Sequence, residues 1–453
     1  MRPNILFICS DQQRRDCLGF AGEYPVKTPN IDALYSEGVD FSQAYTPNPI
    51  CVPARRSMIC GRRPEHVGTL WNYDQGIPSI PFSPDNYSWS RDLQRAGYKC
   101  GYIGAWHVSD LPATEFGYDD YIPAQALRVF DPTEYKNGWF GDRCDLPLGQ
   151  SETHLAAQNA IDLIEKYKGR PFQIRVNFSA PHLPCRPCEP FASMYKDVPM
   201  WRAFDDDLEG KPFMQRQMVC NWNNAETDRE KFLHTVRMYY GMVSQTDDAI
   251  GKITDHLKKT GQYDNTVIIY TSDHGDMCGE RRMLDKHYIM YDSVVRVPLI
   301  IKYPGAKKKT VCDPVVHALD LVPTLLDICG LERPAGLEGI SLFPYLTGGA
   351  PETVRKYALV TYNGQQFGLY TQRMITDGKV KYVWNCSDSD ELYFLDADKD
   401  ELYNHANEEE YTELLKKLRR DMAEELKKAD DYTMRSPWLY DTLYNSRKAR
   451  YVF

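Results

Sequence analysis

The stretch NILFICSDQQ, residues 4–13, decides the fold. Ile5 to Ser10 run without a charged residue, and the run ends on an acid, Asp11, with Gln12 beside it. A strand with one wet face alternates apolar and polar residues. A continuous run is buried on both faces, which means a mostly parallel sheet between helix layers. Comparable runs follow: CGYIGA from residue 100, FQIRVNFSA from 172, NTVIIYTS from 265, VPLIIKY from 297 and YALVTY from 357. Helical patterns separate them. TPNIDALYSEG, residues 28–38, has a Thr–Pro start and a Gly stop. SWSRDLQRAG from 88, SETHLAAQNAIDLIEKYKG from 151 and the long segment 229–261 are further helices. The expected fold class is α/β, a mostly parallel central sheet sandwiched by helices. Such sheets bind ligands at the carboxyl ends of their strands.

The chain has 453 residues, 42% of them hydrophobic, enough for one large core or two domains. Net charge is −9, and no basic stripe suggests nucleic acid. An acidic chain that handles an anion has to gather positive charge in one pocket. No run approaches the ~20 apolar residues of a membrane helix. The short apolar start lacks the pattern of a signal peptide, so the expected location is cytoplasmic. Thirteen scattered cysteines without framework spacing favour thiols over disulfides. Cys185 and Cys188, in HLPCRPCEP, lack the second pair that a zinc site needs and read as a loop.

Near residue 350 the texture changes. LTGGAPETVRK, residues 346–356, reads as a linker between a domain over 1–350 and a smaller α+β subdomain over 351–453. Alternating segments at 367–378 and 379–398 predict antiparallel strands, and 408–431 predicts an amphipathic helix. The last segment, SPWLYDTLYNSRKARYVF, is an aromatic tail that packs on its own subunit or on a second copy, giving a possible homo-oligomer.

Two strands end in acid, NILFICSDQQ at Asp11–Gln12 and NTVIIYTSDHGD at Asp273–His274. Parallel strands would bring both pairs to one edge. Carboxylates held close repel unless one keeps a proton or a cation lies between them. Oxygen donors suit calcium, magnesium or manganese, and His274 adds a nitrogen that pulls toward manganese. A third segment, NPICVPARRSMICGRRP, residues 48–64, places Cys51 at the expected start of a helix, where the dipole favours negative charge. Arg55, one turn on, lies along the same face.

These segments together resemble the formylglycine-dependent sulfatases of the alkaline phosphatase superfamily. CVPAR matches the family's C-x-P-x-R core. NILFICSDQQRRDCLG, TPNIDALYSEGVDFSQAYT, YTSDHGDMCGE, DKHYIMYDSVVRVPLII and DELYFLDADKDELYNHAN match further family segments in the right order. The resemblance implies an alkaline-phosphatase-like fold and a hydrolase of sulfate esters, with a sulfated sugar as the expected substrate. It implies that Cys51 is converted to formylglycine by a modifying enzyme, and that its hydrate attacks sulfur to give a covalent sulfo-enzyme. Asp11, Gln12, Cys51, Asp273 and His274 become the metal set, for one divalent cation, calcium before manganese or magnesium. Arg55 holds the nucleophile, His107 breaks the covalent ester, His182 protonates the leaving oxygen and Lys286 grips a sulfate oxygen. Asn72 and His287 are substrate-binding candidates, the latter equally a residue that caps its loop.

The sequence departs from the family at GAWH, residues 104–107, where Ala105 stands in place of a lysine. The expected compensators are Arg14, Arg15 or Arg56. Two other readings remain open: a phosphonate monoester or phosphodiester hydrolase with the same nucleophile, or a catalytically weak relative that binds anions or sugars.

Overall fold

The structure is a computed structural model that describes residues 2–129, 137–306 and 310–445. The strand that opens the sequence, β1 (Asn4–Asp11), is buried along its whole length. The strands that follow are β2 (Val39–Phe41), β3 (Ala44–Tyr45), β4 (Lys99–Gly104), β5 (Asp120–Pro123), β6 (Phe172–Pro181), β7 (Thr266–Ser272), β8 (Leu299–Lys302), β9 (Thr310–Cys312) and β10 (Val316–His317). Among the described residues the main sheet has eight strands in the order β5-β4-β6-β1-β7-β8-β2-β9. All neighbours are parallel except β8, which runs antiparallel to β7 and to β2. Strands β3 and β10 form a separate short ladder.

The continuous apolar run of β1 is explained by its two covers. Leu6 and Ile8 pack with Ala156, Ala160 and Ile250, from the helices Glu152–Lys166 and Arg229–Lys259. Ile5, Phe7 and Cys9 pack on the other face with Met58, Trp89 and Leu325. Pairing of β1 with β7 runs in register from Asn4↔Thr266 to Ser10↔Ser272. That register carries Asp11 and Asp273 off the same edge, side by side.

A second sheet is fully antiparallel: β11 (Ala358–Tyr362), β12 (Gln372–Thr376), β13 (Val380–Asn385) and β14 (Glu391–Phe394). It too has both faces covered. Leu359, Ile375 and Trp384 meet Leu415, Leu418 and Met422 of the helix Thr412–Lys428. Val360, Met374 and Val383 face Tyr288, Met290 and Val294 from the larger part. The helix Pro437–Tyr444 packs Leu443 into that outer layer and leaves Trp438 83% exposed. The rest of the aromatic tail, 446–453, lies outside the described residues. No described helix is long and apolar enough to cross a membrane.

Candidate active site

The helix Cys51–Cys60 begins on the candidate nucleophile. Ile50 before it is extended, and Gly61 after it is left-handed at φ 65°. All ten helical residues are buried, two arginines included. Val52 has no intrahelical acceptor for its N–H this near the helix start; it donates to Asn72 Oδ1 at 2.9 Å. Asn72 therefore caps this helix from a loop just before a short turn.

Arg55 joins the two acids. Its Nε donates to Asp273 Oδ2 and its Nη2 to Asp11 Oδ2, both at 2.8 Å, and its Nη1 to the Ala105 carbonyl at 2.5 Å. The other carboxylate oxygens face inward. Asp11 Oδ1 lies 3.7 Å from Cys51 Sγ and 3.9 Å from His274 Nε2. Asp273 Oδ1 is 3.8 Å from the same nitrogen, and Sγ is 3.3 Å from it. The four donor atoms lie within 4.8 Å of one another. His274 Nδ1 is engaged by the Gly275 carbonyl at 2.9 Å, which turns Nε2 inward. Burial pushes the Asp11 carboxyl up, and Asp273 and Cys51 push it further, against Arg55. Burial draws His274 down, as does Lys286, but Asp273 and Cys51 together outweigh them and hold the imidazole above its usual value. Two inward carboxylate oxygens, an imidazole nitrogen and position 51 crowded this closely are what a cation would draw together, so the donor set fits a hard divalent ion.

Gln12 adjoins this cluster with φ 64°. Its Nε2 donates to Asp285 Oδ1 at 2.5 Å, and its Oε1 accepts from the Leu183 N–H at 3.2 Å.

A second group stands over Cys51. Lys286 Nζ is 3.5 Å from Sγ, 3.4 Å from His182 Nε2 and 3.1 Å from Asp285 Oδ1. Burial alone would raise the Cys51 thiol; Lys286 and His274 outweigh it and hold the thiol well below its usual value. Burial and Lys286 draw His182 down, yet Asp11 and Cys51 prevail and raise it to about 9. His107, at a left-handed φ of 43°, also helps to hold the Cys51 thiol down. A cavity of about 1180 Å³ opens over Asp11, Ala105, His107 and His182 and extends to Arg128 and Gln150.

The sequence-derived residues thus converge, with three in supporting positions: Gln12, whose amide is held by Asp285 and Leu183, Asn72 and His287. Asn72 spends its amide oxygen on Val52. His287 is fully buried, with Nε2 on Asp285 at 3.2 Å and Nδ1 on the Tyr362 hydroxyl at 3.3 Å. The expected compensators for Ala105 do not reach the site, which corrects that expectation. Arg14 pairs with Asp16 and Glu280, Arg15 with Asp40, and Arg56 donates to the Val108 carbonyl and Thr69. Each guanidinium is held by partners of its own. Cys185 lies in the loop after β6, its Sγ on the Pro181 carbonyl at 3.1 Å. The sequence reading missed Asp285, which holds Gln12, Lys286 and His287 together. Its signal was its place in DKHY, next to Lys286. It also missed Tyr102 and Asn177, whose hydroxyl and amide reach the Ala105 carbonyl at 2.7 and 3.2 Å.

Comparison with known proteins gives a match to the family described as Sulfatase over residues 3–331, and to the N-sulphoglucosamine sulphohydrolase C-terminal family over 279–428. An arylsulfatase of Clostridium perfringens is 30% identical, with 96% of each chain covered. An N-acetylglucosamine-6-O-sulfatase of Bacteroides thetaiotaomicron is 26% identical, covering 95% of this chain and 87% of its own. The solved structure of a phosphonate monoester hydrolase of Agrobacterium radiobacter superposes with a TM-score of 0.81 at 25% identity, covering 95% of this chain and 96% of its own.

Proposed function

The chain belongs to the sulfatase family, and from that membership we propose that it hydrolyses a sulfate ester on a carbohydrate. In this reading Cys51 is oxidised to formylglycine, and one divalent cation, calcium before manganese or magnesium, is held by position 51 with Asp11, Gln12, Asp273 and His274. The observation that carries it is the convergence on Cys51 of two inward carboxylate oxygens, His274 Nε2 and the Lys286 ammonium.

The modification supplies a geminal diol, one hydroxyl to attack sulfur and the other to expel sulfate; the cation supplies a Lewis acid for a sulfate oxygen. The chain's own residues do the rest. Arg55 neutralises the outer oxygens of both acids, so their inner oxygens stay fixed in direction. Lys286 places an ammonium over position 51, where sulfate charge gathers. His182 carries a proton beside that ammonium and gives it to the leaving oxygen. His107, the exposed partner of position 51, takes the proton whose removal collapses the diol ester. The N-acetylglucosamine-6-O-sulfatase relative supports a sugar as the leaving group.

The test is sulfate release from 4-nitrophenyl sulfate and from singly sulfated glucosamines, with calcium and then after chelation. Cys51→Ala should lower turnover by about 10⁴-fold or more, and chelation should abolish it reversibly. Turnover unchanged in Cys51→Ala would overturn the mechanism. A mass spectrum of the peptide 48–62 reads thiol or aldehyde at position 51 directly. Ala105 and the Agrobacterium radiobacter relative favour one second reading, a phosphonate monoester hydrolase with the same nucleophile. Matched aryl sulfate and aryl phosphonate esters separate the two, and a clear preference for phosphorus would select the second.

A further inference from the structure

Arg175, in the middle of β6, is a fully buried cation, and among the described residues no carboxylate lies within ion-pair reach of it. Its guanidinium lies over the Phe7 ring at 4.6 Å and the Tyr102 ring at 5.7 Å, with the Met58 sulfur 3.7 Å from Nη2. Nη1 has no acceptor among the described residues. Nε donates to Asn177 Oδ1 at 3.0 Å. A guanidinium keeps its charge wherever it is placed, and burying one without an anion is costly. An apolar side chain of similar length would serve packing better, so packing does not account for Arg175.

The bond to Asn177 settles which way that amide faces. A guanidinium N–H accepts nothing, so the amide oxygen faces it and the amide nitrogen faces away. That nitrogen donates to the Tyr102 hydroxyl at 2.6 Å and to the Ala105 carbonyl at 3.2 Å. The main chain of Asn177 holds the same alanine from its other side, since the Ala105 N–H donates to the Asn177 carbonyl at 3.0 Å. One residue thus grips Ala105 at both its N–H and its C=O. Sheet register makes the grip possible by pairing Asn177 with Gly104. Gly104 has φ 96°, and a Cβ on it would collide with the Asn177 carbonyl. The turn 104–107 is therefore moulded against Asn177. His107 leaves that turn at its left-handed φ and lines the cavity over the site, as Asn177 does. Arg55 also donates to the Ala105 carbonyl, but its bonds to Asp11 and Asp273 hold it in place without that contact.

We propose that Asn177, its amide oriented by Arg175, is a positioning residue that holds the turn 104–107 so that His107 reaches position 51. The proposal rests on the sulfatase reading for the step that His107 serves. In that step the remaining hydroxyl of the diol ester gives its proton to His107. The electron pair left on oxygen closes the C=O bond, and the carbon–oxygen bond to sulfate breaks with its pair leaving on sulfate. An imidazole displaced by about 1 Å slows this step. It leaves the first step, in which the alcohol departs, as it was.

The experiment uses Asn177→Asp and Arg175→Met in the full chain. The aspartate keeps an acceptor for Arg175 and removes the donor to Ala105. It also gives the guanidinium an anion, so Tm should hold or rise. With Cys51 converted, calcium present and 4-nitrophenyl sulfate as substrate, kcat should fall about 10²-fold in Asn177→Asp and about tenfold in Arg175→Met. KM should fall in proportion, so that kcat/KM is unchanged. 4-Nitrophenol should appear as a burst equal to the active sites, before slow turnover. An unchanged kcat in both variants overturns the proposal. So does a fall in kcat/KM without a burst, which a merely disordered site would give. Histidine NMR on unmodified protein, at one pH, needs no turnover. The His107 ring signal, assigned by its loss in His107→Asn, should move in both variants while those of His154 and His256 stay in place. A His107 signal unmoved in both overturns the proposal. If the signal moves and the full chain cleaves no sulfate ester, the positioning stands and the sulfatase reading falls.

Discussion

Arg55 reaches the site from a regular ten-residue helix, whereas Lys286 reaches it from a loop of unusual backbone. In that loop Cys278, Arg281, Arg282, Asp285 and Tyr288, none of them glycine, all have φ between 48° and 70°. Left-handed residues of this kind cost of order 1–3 kcal/mol each and persist only where surrounding contacts fix them. The contacts are present. Met277 N–H donates to the Asp285 carbonyl at 2.9 Å, Gly279 N–H to Met283 at 2.7 Å, and Arg281 is clasped by Asp206 and Glu280. The difference separates two jobs. The helix-borne cation is part of the framework that joins two strand ends. The loop-borne cation is placed by tertiary contacts and, in the function proposed, serves the reacting group.

That contrast can be broken, and the strongest attempt is Arg55→Ala. It leaves Asp11 and Asp273 buried without their shared partner, at about 3–5 kcal/mol. The expected outcome is a much lower Tm, partly restored by calcium, along with lost activity. Lys286→Ala comes next, with a fall of about 10²–10³ in kcat/KM and a far smaller change in Tm. Asp285 retains Gln12 and His287 in that variant, so it is not left unpaired. If calorimetry shows the two variants equally destabilised, the separation of jobs fails. Asp285→Asn sharpens it further. Gln12 and Lys286 would both lose a charged anchor, and cation affinity should fall by about tenfold or more, read by calcium titration.

The smallest expected effect is on pH. With the thiol in place, His182 keeps its proton up to about 9 because Asp11 and Cys51 outweigh burial and Lys286. A step that needs this proton is unaffected well below that value and declines as pH rises through it. Conversion of Cys51 to an uncharged aldehyde removes one anionic neighbour, so the alkaline limb should move to lower pH in the modified enzyme. Histidine NMR on both forms, with the rate profile of the modified one, checks the direction. A limb that moves the other way would show that Cys51 is not the neighbour that sustains the proton.

The same contrast explains what the sequence disclosed. The two-sided strands, the acids at their ends and the helix that starts at Cys51 are set by local pattern, and each was legible. Lys286 and His182 came from resemblance to a family and not from periodicity, since neither sits on a regular element. Asp285 stayed hidden because its role lies in three partners, one of them Gln12, far away in the chain. The guess that Arg14, Arg15 or Arg56 would replace the missing lysine failed for a related reason. Proximity in sequence to a site says nothing about which carboxylate or carbonyl holds a guanidinium in the folded molecule.

Cys51 is only 2% exposed and is locked in the first turn of a helix with no exposed residue. An enzyme large enough to oxidise it could not close around it there. The conversion we propose therefore belongs to the life of the chain before this helix docks, during or just after synthesis. A molecule that folds first would keep its thiol for good, and preparations made faster than the modifying machinery can act should contain two permanent populations, one competent and one inert.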